Sequence, residues 1–227
     1  MSGRGRAQLQ QQVATGVVDD GTGVLRQHAP MLVPAVGYAT MMAMALAPGS
    51  NPWRTLSSQV VYSNPWTSVR EERMAGPDGR PGLYGFFDGP ESVMVLPLFP
   101  DGTTMLVRQW RYVFGVSSWE LVVGGLETGE DPRLGGAREL AEEAGLAAAR
   151  WTPIGHYQQS DARVRGRTHC FIAQDLTPVE VERDVSEVDM VRERLPLAEA
   201  VAAVRDGRIT HVGSSYLLLR VWADQHA

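Results

Sequence analysis

Residues 124–146 read GGLETGEDPRLGGARELAEEAGL. Gly124 is followed after five residues by Glu130, and after seven more by Arg138-Glu139-Leu140; Glu142-Glu143 and Gly145-Leu146 complete the pattern. Three carboxylates, Glu139, Glu142 and Glu143, fall within five positions. On a helix, residues three and four apart share a face, so this spacing stacks three negative charges on one side. Such charges repel in a bare helix, and a divalent cation turns the repulsion into ligation. Carboxylate oxygens suit hard ions such as Mg²⁺ or Mn²⁺. A solvated surface helix with Arg138 and Glu142 as an i,i+4 pair is the plainer reading, but solvation requires no glycine at 124 or 145. Asp131 and Pro132 are suited to the N-cap and first turn of this helix, and Gly145 to its end.

Working outward, strands are expected over residues 56–62 and 67–73, separated by Ser63-Asn64-Pro65-Trp66, and over 83–87 after the turn-rich loop 77–82. The apolar run 92–99 reads as a buried strand, with 103–110 as its hairpin partner across Asp101-Gly102. A further strand, 119–123, feeds the glycine loop. Strands at 151–158 and 168–173 flank a polar loop, 187–194 reads as an edge strand, and helices are expected over 196–204 and 212–223. Strands mixed with three helices imply a layered α/β domain.

The segment from Gly124 to Leu146 resembles the Nudix box, GX5EX7REUXEEXGU with U aliphatic, and every specified position matches, with Leu140 and Leu146 as the aliphatic pair. Arg108-Gln109-Trp110-Arg111 and Trp119-Glu120-Leu121-Val122-Val123-Gly124-Gly125 are similar to the strand motifs of the ADP-ribose pyrophosphatase (ADP-sugar diphosphatase) branch. Trp110 stands where that branch has tyrosine, and Val122-Val123 where it has Pro-Ala. The resemblance implies a Nudix α/β/α sandwich with a mixed sheet and an N-terminal strand extension. It implies Mg²⁺ (or Mn²⁺) held by Glu139, Glu142 and Glu143 with the Val123 carbonyl. It also implies Mg²⁺-dependent cleavage of a nucleoside diphosphate linked to a sugar, such as ADP-ribose, to a nucleoside monophosphate and a sugar phosphate. A non-catalytic ligand sensor on the same fold, or a hydrolase of another nucleoside diphosphate derivative, are the alternatives. Intact carboxylates speak against the sensor.

Other roles follow from the same resemblance. Arg138 pairs with a box glutamate, Glu130 being the candidate, to hold the loop on the helix. Arg108 and Arg111 lie three apart on a strand and so face opposite ways; Arg111, which matches the second Arg of the branch motif, is the one assigned to substrate, and Glu120, just ahead of the box loop, matches the family's Glu there. The branch takes its general base from the loop after the next strand. Here that loop, 159–167, contains no Glu, so the catalytic candidates are Asp161 and the box residues Glu142 and Glu143. Arg163, Arg165 and Arg167 are phosphate ligands or solvated. Trp53 and Trp66 are candidate base-stacking platforms, in a homodimer that shares its N-terminal strands, or else packing residues. His169 reads as structural.

Composition sets the outer bounds. The chain has 227 residues, 44% of them hydrophobic, enough for one good core. Its net charge is −5, its only cationic residues apart from His are Arg, and its calculated pI is 5.6, which argues against a nucleic-acid partner. Cys170 is the sole cysteine, so no internal disulfide forms, consistent with a reducing cytoplasm. Residues 1–50 are set apart from a Nudix domain at 51–227, as a poorly ordered or mis-assigned extension. The apolar stretch 31–47 is short for a membrane span and lies far from Arg4 and Arg6 for a signal peptide.

Overall fold

The computed structural model describes residues 49–180 and 190–226, together with two short strands, β1 (Val17–Val18) and β2 (Arg26–Gln27), which pair antiparallel. The rest of residues 1–50, and with them the reading of that segment as an extension, lie outside the described residues. The other elements belong to the compact unit Pro52–Ala227.

That unit opens with an antiparallel meander, β3 (Arg54–Ser63), β4 (Ser68–Ala75) and β5 (Pro81–Asp88). Asn64 makes the first turn by accepting the amides of Trp66 and Thr67 at 2.9 and 2.8 Å, the local bonding that favours Asn in turns. The long strand β11 (Val164–Pro178) runs antiparallel to β10 (Leu146–Ser160) along one edge. Its other edge is shared, first by β5 at Val164–Arg165, then by β6 (Ser92–Pro97), both parallel to it. Strand β9 (Val122–Gly125) closes this seven-stranded mixed sheet on the far side of β6.

A smaller sheet has the order β12–β7–β8, from Val191–Pro196, Thr103–Arg111 and Val116–Glu120. Two expectations are corrected here. Strand 103–110 does not pair along 92–99 as a hairpin: β6 has both edges filled by β11 and β9, and among the described residues the pairing across Asp101-Gly102 stops at the Leu98–Thr104 bridge and the Phe99 amide to Thr103 carbonyl bond at 2.9 Å. Nor is 119–123 one strand. The chain leaves the small sheet at Glu120 and enters the large one at Val122, and Leu121 at the crossing is fully buried. Of the expected edge strand 187–194, the described part begins at Met190 and forms β12.

Alternation along β6 explains the layers. Val93 and Val95 join Val107, Val122, Leu140 and Ala144 under the glutamate-bearing helix. Met94 and Leu96 point the other way, into a cluster with Leu121 and Cys170. That second cluster is covered by α2 (Leu197–Arg205) and α3 (Val212–Gln225) through Leu197, Val201, Leu217, Leu218 and Val221. Helices on both faces of a mixed sheet make the α/β/α sandwich that the sequence implies. Each such buried aliphatic side chain stabilises the fold by roughly 1.5–3 kcal/mol. Cys170 belongs to this core, and burial pushes its thiol up to about 12. No described helix is long and apolar enough to cross a membrane.

Candidate active site

The glutamate-bearing segment starts as an α-helix, α1 (Pro132–Glu139), capped by Asp131, which accepts the amides of Arg133 and Leu134 at 3.0 and 3.1 Å. It then widens into a π-helical turn, Leu140–Ala144, where a plain α-helix was expected. Such turns are frequent at functional sites, because an i→i+5 ring re-aims side chains on the helix face. Gly145 ends it in the left-handed region (φ 67°, ψ 35°). A Cβ there would also lie 2.6 Å from Arg192 Nη1. Arg192, from β12, donates to the carbonyls of Glu143 and Glu142 at 2.6 and 3.0 Å. It caps carbonyls that the end of the helix leaves open.

This turn lays the carboxylates along the edge of β9 that faces away from β6. Glu143 accepts the Val123 amide at 3.0 Å, so the Val123 group seen in contact is its N–H. Glu139 stands directly against Gly124. Both carboxylates are buried, while Glu142 remains partly open to solvent. Arg138 ties the group together. It contacts Glu130 at 3.2 and 3.3 Å, Glu139 at 2.6 Å, Glu142 at 3.3 Å and the Gly125 carbonyl at 2.9 Å. The Glu130 hydrogen bond is the largest cause of the raised Arg138 pKa, and Arg138 in turn lowers that of Glu130. The expected Arg138–Glu130 clasp is therefore one part of a wider hub.

Among the described residues no three His, Cys, Asp or Glu side chains already stand as a cage for an ion. The donor chemistry nevertheless fits a hard divalent cation: three carboxylates on one turn, with no Cβ at Gly124 to block them.

Across from the box, Arg111 and Glu120 project from β7 and β8. Arg111 Nε donates to Glu120 Oε1 at 2.8 Å, and Nη2 to Oε2. Arg108 turns away and stacks over Trp119 at 5.5 Å, as strand alternation requires. Glu120 is only 1% exposed. Burial pushes its pKa up, but the Arg111 hydrogen bonds and the Arg111 charge outweigh it and leave the carboxyl lowered. Arg111 is raised, chiefly by the same hydrogen bonds, and also feels the charge of Glu143. His211, the N-cap of α3, stands 3.7 Å from Glu120 Oε2 and 2.8 Å from the Ser214 hydroxyl. Ser214 accepts the Leu121 amide at 2.9 Å. Sequence reasoning did not single out Arg192, His211 or Ser214: each lies at least 49 residues from the box partner or crossing it serves, with no spacing to mark it.

The remaining candidates lie elsewhere. Gly124, Val93, His169 and His156 form one row across β9, β6, β11 and β10. Asp161 is five residues beyond His156, roughly 16 Å along the strand and three strand spacings, roughly 14 Å, across the sheet. It lines a pocket of about 620 Å³ with Arg163, Arg165, Arg167, Tyr84 and Phe86. Arg165 is bound there by Glu72 at 3.1 Å and lies over Phe86 at 4.3 Å. Trp53 and Trp66 sit at opposite ends of the ten-residue β3, both exposed. That strand spans roughly 33 Å, so within one chain they do not face a common base. His169 bonds Glu91 at 2.7 Å.

The comparisons with known proteins agree with this fold. Residues 53–87 match the nucleoside diphosphate sugar hydrolase N-terminal domain, and residues 89–212 match the NUDIX domain. The chain is 25% identical over 166 residues to the ADP-ribose pyrophosphatase of Bacillus subtilis (strain 168), covering 73% of this chain and 90% of that protein. It is 28% identical over 161 residues to the ADP-ribose pyrophosphatase of Mycobacterium tuberculosis (strain ATCC 25618 / H37Rv), covering 70% and 78%. A crystal structure of an ADP compounds hydrolase superposes with a TM-score of 0.68 over 80% of this chain and 99% of that one; at 20% identity the likeness is one of fold. The chain thus belongs to the Nudix family of hydrolases, its Nudix domain preceded by a nucleoside diphosphate sugar hydrolase N-terminal domain.

Proposed function

We propose that this hydrolase cleaves the diphosphate bond of a nucleoside diphosphate linked to a sugar, ADP-ribose or a close analogue, into a nucleoside monophosphate and a sugar phosphate. The observation that carries the reading is the pairing of a buried carboxylate turn at the β9 edge with the Arg111–Glu120 pair from the neighbouring sheet. The N-terminal domain match and the two ADP-ribose pyrophosphatases among its relatives support the substrate class.

Family members in general use divalent metal ions, and Mg²⁺ or Mn²⁺ is the assignment here. Glu139, Glu142 and Glu143 would hold it, with the Val123 carbonyl. When bound, such an ion neutralises diphosphate oxygens and lowers the pKa of a water. The residues do the rest. Arg111 spends Nε and Nη2 on Glu120, and its Nη1 has no hydrogen-bond acceptor among the described residues, leaving it for a phosphate oxygen. Glu120 keeps the guanidinium aimed. Glu142 would take the proton of the attacking water, a role supported by its being the most exposed of the three box carboxylates, and Asp161 is the alternative base. Arg138 and Arg192 hold the turn.

The protein is further proposed to be a cytoplasmic homodimer joined through β3, whose ten residues are all exposed. In that dimer Trp53 or Trp66 would reach a base held by the partner copy. Purified protein incubated with Mg²⁺ and ADP-ribose should yield AMP and ribose phosphate, resolved by phosphorus NMR. Failure to cleave ADP-ribose and a panel of other nucleoside diphosphate sugars would refute the reading.

A further inference from the structure

We propose that His211 is a positioning residue for Arg111: a neutral imidazole, tied through Nδ1 to Ser214, that walls in the Glu120 carboxylate and so holds the guanidinium facing the diphosphate. The inference rests on the hydrolase reading through the role given to Arg111.

The hydrogen-bond chain fixes the tautomer. Ser214 is fully buried, and its hydroxyl oxygen accepts the Leu121 amide at 2.9 Å. The Ser214 amide donates to His211 Nδ1 at 3.4 Å, which makes that nitrogen an acceptor, and the Ser214 hydroxyl, 2.8 Å from it, is then the donor in their contact. With both donors on Nδ1, that atom is an acceptor and the ring proton sits on Nε2. Burial also disfavours the cation, pushing the His211 pKa down.

Neutrality matters because of what lies next door. Glu120 Oε2 is 3.7 Å from Nδ1 and is the oxygen that Arg111 Nη2 binds. An imidazolium would donate to that oxygen and compete with Arg111 for it. A neutral ring instead excludes water from one side of Glu120, leaving Arg111 as its strong donor. The same chain pins the N-terminus of α3 to Leu121, where the backbone passes from β8 to β9. The Glu120 end of one sheet and the Val123 end of the other are thereby held in register. A helix cap alone would explain the Nδ1 contacts, so the test must separate the two roles.

His211→Asn keeps a cap acceptor and removes the ring. Its melting temperature should stay near that of the parent, while kcat/KM for ADP-ribose with Mg²⁺ falls roughly tenfold, mainly through KM, the usual scale for a residue supporting a contact group. In an Arg111→Ala background the same substitution should have no further effect. Equal losses in both backgrounds, or an unchanged KM, overturn the proposal. Nitrogen NMR of the imidazole gives a readout that needs neither substrate nor the His211 variant. It should show the neutral Nε2–H form at neutral pH, and Arg111→Ala should raise the His211 pKa as Glu120 loses its cation. An Nδ1–H tautomer, or a titration that Arg111→Ala leaves unmoved, overturns it. A parent protein that turns over no ADP-ribose removes the hydrolase reading instead, and the NMR result then decides the His211 arrangement alone.

Discussion

Gly124 and Glu139 are fitted to each other: a Cβ on Gly124 would lie 1.9 Å from the Glu139 carboxyl carbon and 2.0 Å from Oε1. The buried carboxylate therefore occupies the space a side chain would fill. Gly124→Ala is expected to push Glu139 off the β9 edge, costing about 1–3 kcal/mol through overpacking and weakening Mn²⁺ binding. Urea unfolding and Mn²⁺ titration by electron paramagnetic resonance check both effects. Parental stability and Mn²⁺ affinity in the alanine variant would contradict the fit.

Glu143→Gln keeps an oxygen able to accept the Val123 amide, so the variant should fold. It loses the charge assigned to the cation. Turnover should drop at least ~100-fold, about 3 kcal/mol of barrier. A folded variant with near-parental turnover removes Glu143 from the ligand set.

The base assignment divides Glu142 from Asp161. With Asp161 five residues beyond His156 and three strand spacings across the sheet from β9, Asp161→Asn is expected to change kcat only slightly, and Glu142→Gln to lower it by roughly 10²–10⁴. A large loss of kcat in Asp161→Asn at unchanged affinity, with loss of the acidic limb of the pH profile, would return the role to the 159–167 loop.

Asp101 gives an acid-stability prediction. Its carboxylate accepts the Thr103 hydroxyl and amide at 2.6 and 3.1 Å, and Arg194 at 2.8 Å. These contacts, the Thr103 hydroxyl first, lower its pKa from 3.8 to about 2. A carboxyl lowered by folding stabilises the native state above its unfolded pKa, and that contribution is lost as pH falls through the folded value. The stability difference between the parent and Asp101→Asn should be constant at neutral pH and close as pH drops from about 4 to about 2. A difference that persists at the acid end would place the effect outside ionisation.

The exposed β3 predicts association. Leu56, Val60, Val61 and Tyr62 lie on a strand that, among the described residues, pairs with β4 along one edge only, with Trp66 in the adjoining turn, an apolar surface of the kind that marks interfaces. Sedimentation at micromolar concentration should show a species near twice 24.8 kDa. A fully active monomer would sink the shared-site arrangement.

Much of this protein was legible in its amino-acid order. Gly124, Glu130, Arg138, Glu139, Glu142, Glu143 and Gly145 lie within one short segment, where helical geometry and capping chemistry are local and act through spacing. Asp131 and Gly145 bound the helix for that reason, and strand parity set Arg108 and Arg111 on opposite faces, although the choice of Arg111 came from the family resemblance. What spacing does not encode is which edges pair. Strand 103–110 joined the smaller sheet because β6 was already filled on both sides, and 119–123 broke at Leu121 because its two halves bury into different sheets. Arg192 reached the helix end, and His211 and Ser214 reached Glu120 and Leu121, only through chain folding across long separations. The carboxylates belong to a local code; the groups that hold and aim them were brought there by packing, which is decided among residues distant in sequence.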